Sequence, residues 1–432
     1  MQLSLLSQGL KLDAAESAAI AADYERFANG LPAALEAYVR DRYRLDLSSE
    51  YGGLPIKNPF GKASGQLSLN ISQVRQDAQA GLGFVVLKTF IAQDAGGAQS
   101  MVEWAIPETR MVVERITGAD GQIGWTVTWK GRGWYDTFDA YLQFYEEALV
   151  AGGESGMLVV PSCKYHLPGH DESEWKVGEY DYTTGRLLDV WEKFGRRDAM
   201  PIEKDFSPTL AGSDRALQVE TVLRWLKQVS GLIRRSAFPR GVSVGLKMFN
   251  ALLGETFQLE MLRAINAHCE GEERPDFLVY ANRLFDPSRV FDGVRGVAYG
   301  GPDLSTRNLN VLSQFRFLEQ TGHVPLSRLP VSATGNIDSG RMAVEYLLRG
   351  ASSFQLHTYF QLPNQEFRMQ GNSKTERALH ELYFHPRRGL IAWLLHLRRV
   401  LDLPEGWNIK RVSDFCVDPT NALWVGHEPV LR

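Results

Sequence analysis

The stretch Ser332-Ala333-Thr334-Gly335-Asn336-Ile337-Asp338-Ser339-Gly340 is followed, one helix later, by Arg349-Gly350-Ala351-Ser352-Ser353-Phe354-Gln355-Leu356-His357-Thr358. Together they read as strand, glycine turn, helix, strand. The strand candidates are Leu329–Ile337 and Ser353–Phe360, and Gly340–Leu348 between them has helical spacing. A strand that ends in small residues at a helix N-terminus offers backbone N–H groups and a positive dipole end to a phosphate. In α/β barrels such a site lies beyond the seventh and eighth strands. The turn taken alone suits a phosphate site and an ordinary tight turn equally well.

Working outward, the same alternation repeats. Lys57–Ser64, Gly83–Phe90, Gly156–Cys163, Pro201–Ser207, Val242–Phe249 and Asp276–Asn282 read as earlier strands, which makes eight with the two above. Helical patterns fall at Thr137–Leu149, Thr183–Phe194, Ala216–Arg234, Glu255–Ala267 and Thr306–Glu319, and Thr375–Val400 follows the last strand. Eight alternations favour a closed (β/α)8 TIM barrel over an open doubly wound sheet. After strand 2, Met101–Ile106, Arg110–Ile116 and Ile123–Trp129 read as short strands around Gly118-Ala119-Asp120-Gly121, a β-hairpin insertion within 91–130. It leaves the C-terminal end of a barrel strand, so a lid over the site is expected. Leu31, Leu35, Tyr38 and Val39 have helical spacing. The expected organisation is an N-terminal helical extension over 1–50, the barrel over 51–400 and a tail over 401–432 packed on the barrel.

The chain has 432 residues, 40 glycines and a net charge of −4. That length suits one large barrel with additions, and the balanced charge gives no electrostatic case for nucleic acid. Cys163, Cys269 and Cys416 form no CxxC pair and lack metal-ligand spacing, so no disulfide framework or metal site is expected and a reducing cytoplasm fits. Met1–Leu6 lacks the basic start and apolar core of a signal peptide. Leu390–Leu401, interrupted by His396, Arg398 and Arg399, is too short to span a bilayer.

These segments together resemble the dihydroorotate dehydrogenase family, whose flavin-binding barrel is shared with dihydropyrimidine dehydrogenase. The family pattern is a Gly-Gly-hydrophobic-x-Ser/Thr-Gly turn, a helix, then Gly-Ala-Ser and a strand ending near Thr. Gly340, Gly350, Ala351, Ser352 and Thr358 agree with it, while Asn336 stands where a second glycine is usual. Tyr299-Gly300-Gly301-Pro302 is similar to the family's preceding loop. Asn58-Pro59-Phe60-Gly61-Lys62-Ala63-Ser64-Gly65 resembles its first strand, and Gly83-Phe84-Val85-Val86-Leu87-Lys88-Thr89 its second. The matches keep their order over most of residues 52–400.

The resemblance implies bound FMN, held by Ala63, Ser64, Gly65, Lys88, Thr89, Lys247, Gly300, Gly301, Gly335, Asn336, His357 and Thr358. Lys247, in Val244-Gly245-Leu246-Lys247, falls where the family sets a lysine against the flavin pyrimidine edge, and a cation there stabilises the anionic reduced flavin. Without the family, Lys88 and Lys247 are lysines near strand ends, a position that is usually just solvated.

In this family a Cys or Ser after the fourth strand removes a substrate proton while a hydride goes to flavin N5. Two segments compete for that role. Pro161-Ser162-Cys163-Lys164 offers Cys163 but follows the third strand; Asp205-Phe206-Ser207-Pro208-Thr209 follows the fourth, and strand order favours Ser207. Serine is a poor base at its normal pKa and needs a relay or a water.

The substrate pocket departs from the family. Its Asn-x-x-Gly-x-x-Asn segment is here Thr128-Trp129-Lys130-Gly131-Arg132-Gly133-Trp134, and Asp205 and Thr209 replace two further asparagines. Asn282 is kept, followed by Arg283. Unpaired buried donors cost about 1–3 kcal/mol each, so orotate is not the expected substrate. An Asp–Arg pair with aromatic neighbours such as Trp129 and Trp134 suits another polar or partly aromatic molecule.

The leading expectation is an FMN-dependent oxidoreductase acting on a C–C bond beside a carbonyl. The alternatives are a genuine dihydroorotate dehydrogenase, a flavin-free phosphate-binding lyase or isomerase using Lys247 or Lys88 as a Schiff-base amine, and a flavin barrel without turnover. The expected partners are a small-molecule substrate, an electron acceptor of unspecified kind and a second copy in a homodimer, with no nucleic acid and no transmembrane segment.

Overall fold

The computed structural model describes residues 4–105, 107, 111–129, 133–194, 198–206, 218–250, 253–267, 271–291, 293–327 and 329–416. Two short strands, β1 (Ser49–Tyr51) and β2 (Leu54–Ile56), pair as an antiparallel hairpin before the main sheet begins. The sheet strands are then β3 (Phe60–Lys62), β4 (Phe84–Val86) and β5 (Phe90–Ile91). A hairpin of β6 (Met111–Thr117) and β7 (Ile123–Trp129) separates these from β8 (Leu158–Val160), β9 (Ser162–Lys164), β10 (Met200–Asp205), β11 (Val242–Phe249) and β12 (Phe277–Asn282). A further hairpin of β13 (Leu284–Phe291) and β14 (Val294–Tyr299) precedes β15 (Val331–Thr334) and β16 (Ala351–Leu356).

The ten sheet strands lie in the order β5-β9-β10-β11-β12-β15-β16-β3-β4-β8. All their pairings are parallel, and the sheet is strongly curled, with β16 set against β3 through Phe354 and Phe60. This is a mixed α/β architecture compatible with an α/β barrel. Leu87 N–H donates to Val160 O at 2.9 Å and Ala92 N–H to Lys164 O at 3.0 Å, so the chain from β4 to β5 stays beside the chain from β8 to β9.

The interior explains the glycines in these strands. Along β11 every residue from Val242 to Phe249 is buried, as expected of a parallel strand covered on both faces. A Cβ on Gly245 would stand 2.1 Å from the Phe277 ring, and one on Gly61 2.4 Å from the Phe84 ring. Tyr51 of the β1–β2 hairpin packs against the same two rings, with centroids 4.5 Å from Phe84 and 4.9 Å from Phe277. The hairpin therefore plugs the sheet at the N-terminal ends of its strands.

Helices between the strands begin where a polar side chain can cap them. Asn70, Thr137, Ser339 and Ser373 each accept from a backbone N–H of the following first turn. The N-terminal helices Ala14–Arg26 and Leu35–Tyr43 dock on the helices Lys374–Phe384 and Leu390–Val400. Tyr24 stacks on His380 with centroids 4.8 Å apart and donates to Glu381 at 2.8 Å, and Arg398 pairs with Glu16 at 2.8 Å. Among the described residues no helix is long and apolar enough to cross a membrane.

Several elements differ from the sequence reading. The expected helix Thr375–Val400 is two helices, because Pro386 lacks an N–H and its ring clashes with the preceding turn. Met101–Ile106, expected as a strand, contains a 3-10 turn at Val102–Trp104, where Ala105 N–H returns to Val102 O at 2.9 Å. The β13–β14 hairpin was not foreseen. The strand expected over Pro201–Ser207 ends at Asp205. Ser207 and Thr209 lie outside the described residues.

Candidate active site

A cavity of about 650 Å³ opens at the C-terminal ends of the sheet strands. Its floor is a chain of hydroxyls and charges that strand alternation turns to one side. From β11, Lys247 donates from Nζ to Ser64 Oγ at 2.8 Å. Ser64 Oγ lies 3.2 Å from Thr89 Oγ1, which is 3.0 Å from Ser162 Oγ and donates to Asp205 Oδ2 at 3.3 Å. Beneath Lys247, Glu203 Oε2 stands 3.9 Å from its ammonium. Tyr51 and Gln355 both donate to Glu203, and Gln355 Nε2 is also 3.1 Å from Tyr51 Oη. Glu203 has no exposed surface, and burial raises its carboxyl pKa while the Lys247 charge opposes that rise.

Lys88 follows β4 and is 3 % exposed. Burial lowers its ammonium pKa from the ordinary 10.5 to about 7; the Asp205 charge opposes this shift and Lys247 adds to it. His357, after β16, is likewise held neutral by burial and by the surrounding charges of Arg283, Lys88, Lys62 and Lys247. A Cβ on Gly65 would stand 2.7 Å from His357 Nε2, so this ring fits only because residue 65 has none.

One side of the cavity is a glycine cradle. Gly300 and Gly301 lead into the helix Pro302–Gln320, and Gly335 and Asn336 follow β15. Gly301, Gly335 and Asn336 have φ values of 99°, 113° and 52°, the left-handed region that glycine and asparagine tolerate best. Asn336 donates to Ser305 Oγ at 2.9 Å, and Asn308 holds Ala281 O and Thr334 O, each at 2.9 Å. A Cβ on Gly335 would collide with Asn308 Nδ2 at 2.7 Å.

The roof is made by both hairpins. Arg115, Ile123, Gly124, Trp125 and Thr128 reach the cavity from β6–β7, and Phe285, Gly296, Val297 and Ala298 from β13–β14. Arg283 ties the two together, donating to Ala298 O at 2.8 Å and Val127 O at 2.6 Å; its burial lowers its pKa to about 9. Arg289 pairs with Glu114 at 2.6 Å across the same seam, and Gly300 N–H donates to Thr126 Oγ1 at 2.9 Å. Arg115 pairs with Glu366 on the opposite rim at 3.1 Å.

The structure brings the expected flavin-site residues together. Ala63, Ser64, Gly65, Lys88, Thr89, Lys247, Gly300, Gly301, Gly335, Asn336, His357 and Thr358 all line this cavity, as do the expected substrate residues Thr128, Asp205, Asn282 and Arg283. Cys163 does not. It is fully buried in the apolar core, where burial raises its thiol pKa and keeps it protonated. Trp134 lies elsewhere, stacked 5.6 Å from Phe144; among the described residues the indole at the cavity is that of Trp125, and the side chain of Trp129 lies outside them. Arg283 has a scaffolding part that the sequence did not suggest.

Sequence reasoning missed Lys164, Asn250, Glu203 and the whole β13–β14 wall. A signal for the wall was present, since Asp292-Gly293 between two β-rich runs is the dipeptide of a tight hairpin. Among the described residues no group of three or more His, Cys, Asp or Glu could hold a metal ion. No protein-family model matches the chain, and no curated protein matches it significantly.

Proposed function

We propose that the chain is a (β/α)8-barrel, FMN-dependent oxidoreductase of the dihydroorotate dehydrogenase type, acting on a C–C bond beside a carbonyl in a substrate other than orotate. In this reading β4–β5 and β8–β9 are the second and third barrel strands, each interrupted once, which closes the ten-strand order into eight staves. One observation carries the proposal: residues from the strand-end segments of the whole sheet, matched one by one to a flavin site by resemblance, line a single cavity.

The residues present fit the group. Gly300, Gly301, Gly335 and Asn336 form a cradle that a Cβ would obstruct at Gly301, 2.6 Å from Ile116, and at Gly335, and it lies at the N-terminus of a 19-residue helix. Lys247, oriented by Ser64 and Glu203, would set a fixed positive charge beside the ring. When bound, the flavin supplies the two-electron acceptor. The hairpins roof the floor, and Thr128 and Asp205 are among the described polar side chains that could orient a substrate there.

Extraction of the cofactor from purified protein tests this. FMN is expected, because no Gly-x-Gly-x-x-Gly after a strand offers a dinucleotide site. Lys247→Ala should lower flavin content or slow flavin reduction. FAD, or no flavin after reconstitution, overturns the proposal; unchanged content and reduction rate in the variant remove Lys247 from the site.

A further inference from the structure

Among the described residues of the cavity floor, Lys88 is a cation that makes no hydrogen bond or ion pair within the fold. Lys164 Nζ reaches Asp205 O at 3.5 Å, Lys247 is bonded to Ser64, and Arg283 is spent on two backbone carbonyls. Lys88 differs from all three. Its side chain is almost wholly buried and lines the cavity, and among the described residues nothing hydrogen-bonds to its Nζ or pairs with it. An amine that is nearly buried yet faces a cavity without a protein partner is open to a guest held in that cavity.

The charges facing this amine come from several elements. Asp205 on β10 and Lys247 on β11 act on it directly, His357 after β16 is close enough to feel its charge, and Lys164 on β9 and Arg283 after β12 line the same space. The environment thus combines desolvation with a like charge, the two conditions that leave a lysine amine neutral and nucleophilic. On this floor Lys164, Lys247 and Arg283 outnumber the Asp205 and Glu203 carboxylates, which favours an anionic guest.

We propose that Lys88 is a carbonyl-capturing amine, which condenses in this cavity with an aldehyde or ketone bearing a carboxylate or a phosphate. The inference concerns the cavity that the proposed function gives to the flavin, and its test is read independently of flavin content. The step balances without a redox partner: the Lys88 nitrogen lone pair forms a bond to the carbonyl carbon, the oxygen takes up a proton, and water leaves as the C=N bond forms. Both protons on that water come from the amine nitrogen. Net, an amine and a carbonyl give an imine and one water.

The test uses the protein as purified, with sodium cyanoborohydride to reduce any imine, and peptide mass spectrometry to locate it. Pyruvate probes the carboxylate source, glycolaldehyde phosphate the phosphate source, and acetone is the neutral control. At pH 7 one or both anionic probes should label Lys88 at least about tenfold faster than the exposed Lys227, because an amine titrating near neutrality offers far more free base than an ordinary lysine. Labelling should fall away below pH 7. Lys247→Met, which removes the neighbouring like charge, should move the half-point to higher pH. Lys88 left unmodified while Lys227 reacts, or modified with the pH profile of a surface lysine, overturns the proposal. Equal labelling by acetone overturns the anionic preference. Flavin content is read separately on the same sample, so absence of FMN and absence of the adduct are distinct failures.

Discussion

Replacing Lys88 by methionine should stabilise the protein near neutral pH, against the usual result of altering a buried site. Methionine keeps the length and apolar stem of the side chain, so packing changes little. The charged end is what differs. Lys88 is 3 % exposed and has its pKa lowered from 10.5 to about 7. A folded-state pKa below the unfolded one means that the unfolded chain binds the extra proton between about pH 7 and 10.5, so wild-type stability rises with pH across that window. At about 1.4 kcal/mol per pH unit, the penalty at pH 7 is about 4–5 kcal/mol. Lys88→Met should recover about 3–5 kcal/mol at pH 7, and the gain should shrink by about 1.4 kcal/mol for each pH unit towards 10. Lys204, also buried and lowered to about 7, is present in both proteins and cancels from the difference. Urea unfolding of both proteins at pH 7 and 9.5 measures it. A variant less stable than wild type at pH 7, or a difference that does not change with pH, would mean that the folded protein holds Lys88 charged and paired, and the reasoning would fail.

Two further outcomes follow from the cavity. Dihydroorotate should reduce the proposed flavin slowly or not at all, because Thr128 and Asp205 line the cavity where the dihydroorotate dehydrogenases it resembles have asparagines; anaerobic stopped-flow bleaching of wild type, Ser207→Ala and Cys163→Ala measures this, and fast wild-type bleaching refutes it. If slow bleaching occurs, loss of it in the Cys163 variant alone would contradict the buried position of that thiol. Gly335→Ala should cost about 1–3 kcal/mol and weaken cofactor retention, since φ is 113° and the new Cβ meets Asn308; normal thermal stability with full flavin content would contradict the tight approach.

Local patterning made the main sheet legible. The run Val242–Phe249 forms β11 with the bounds its β-rich composition suggests, and Ile123–Trp129 forms β7 likewise. What failed depended on long-range partners. Val102 and Trp104 have strand-forming side chains, but a strand needs a neighbour to receive its backbone hydrogen bonds, and the segment closes on itself as a 3-10 turn. Glu203 reads in sequence as an ordinary charge between Ile202 and Lys204. Its burial beneath Lys247 depends on Tyr51, brought from about 150 residues away by a hairpin at the far end of the strands.

The position of Cys163 illustrates the same limit in a single step of register. In β9 the side chains alternate, so Ser162 and Lys164 share one face and Cys163 takes the other. Sequence fixes that alternation but not which face meets the cavity. The pairing of β9 with β10 settles it: Ser162 lies opposite Glu203 and Cys163 opposite Lys204. Glu203 and Asp205 point to the floor, Thr89 bonds both Ser162 and Asp205, and Lys204 turns outward to Tyr165 O at 3.1 Å. Cys163 must follow Lys204. A shift of one residue would have placed the thiol beside Asp205 and buried Ser162 instead, so register, rather than residue type, makes this cysteine inert and leaves Lys164 at the cavity.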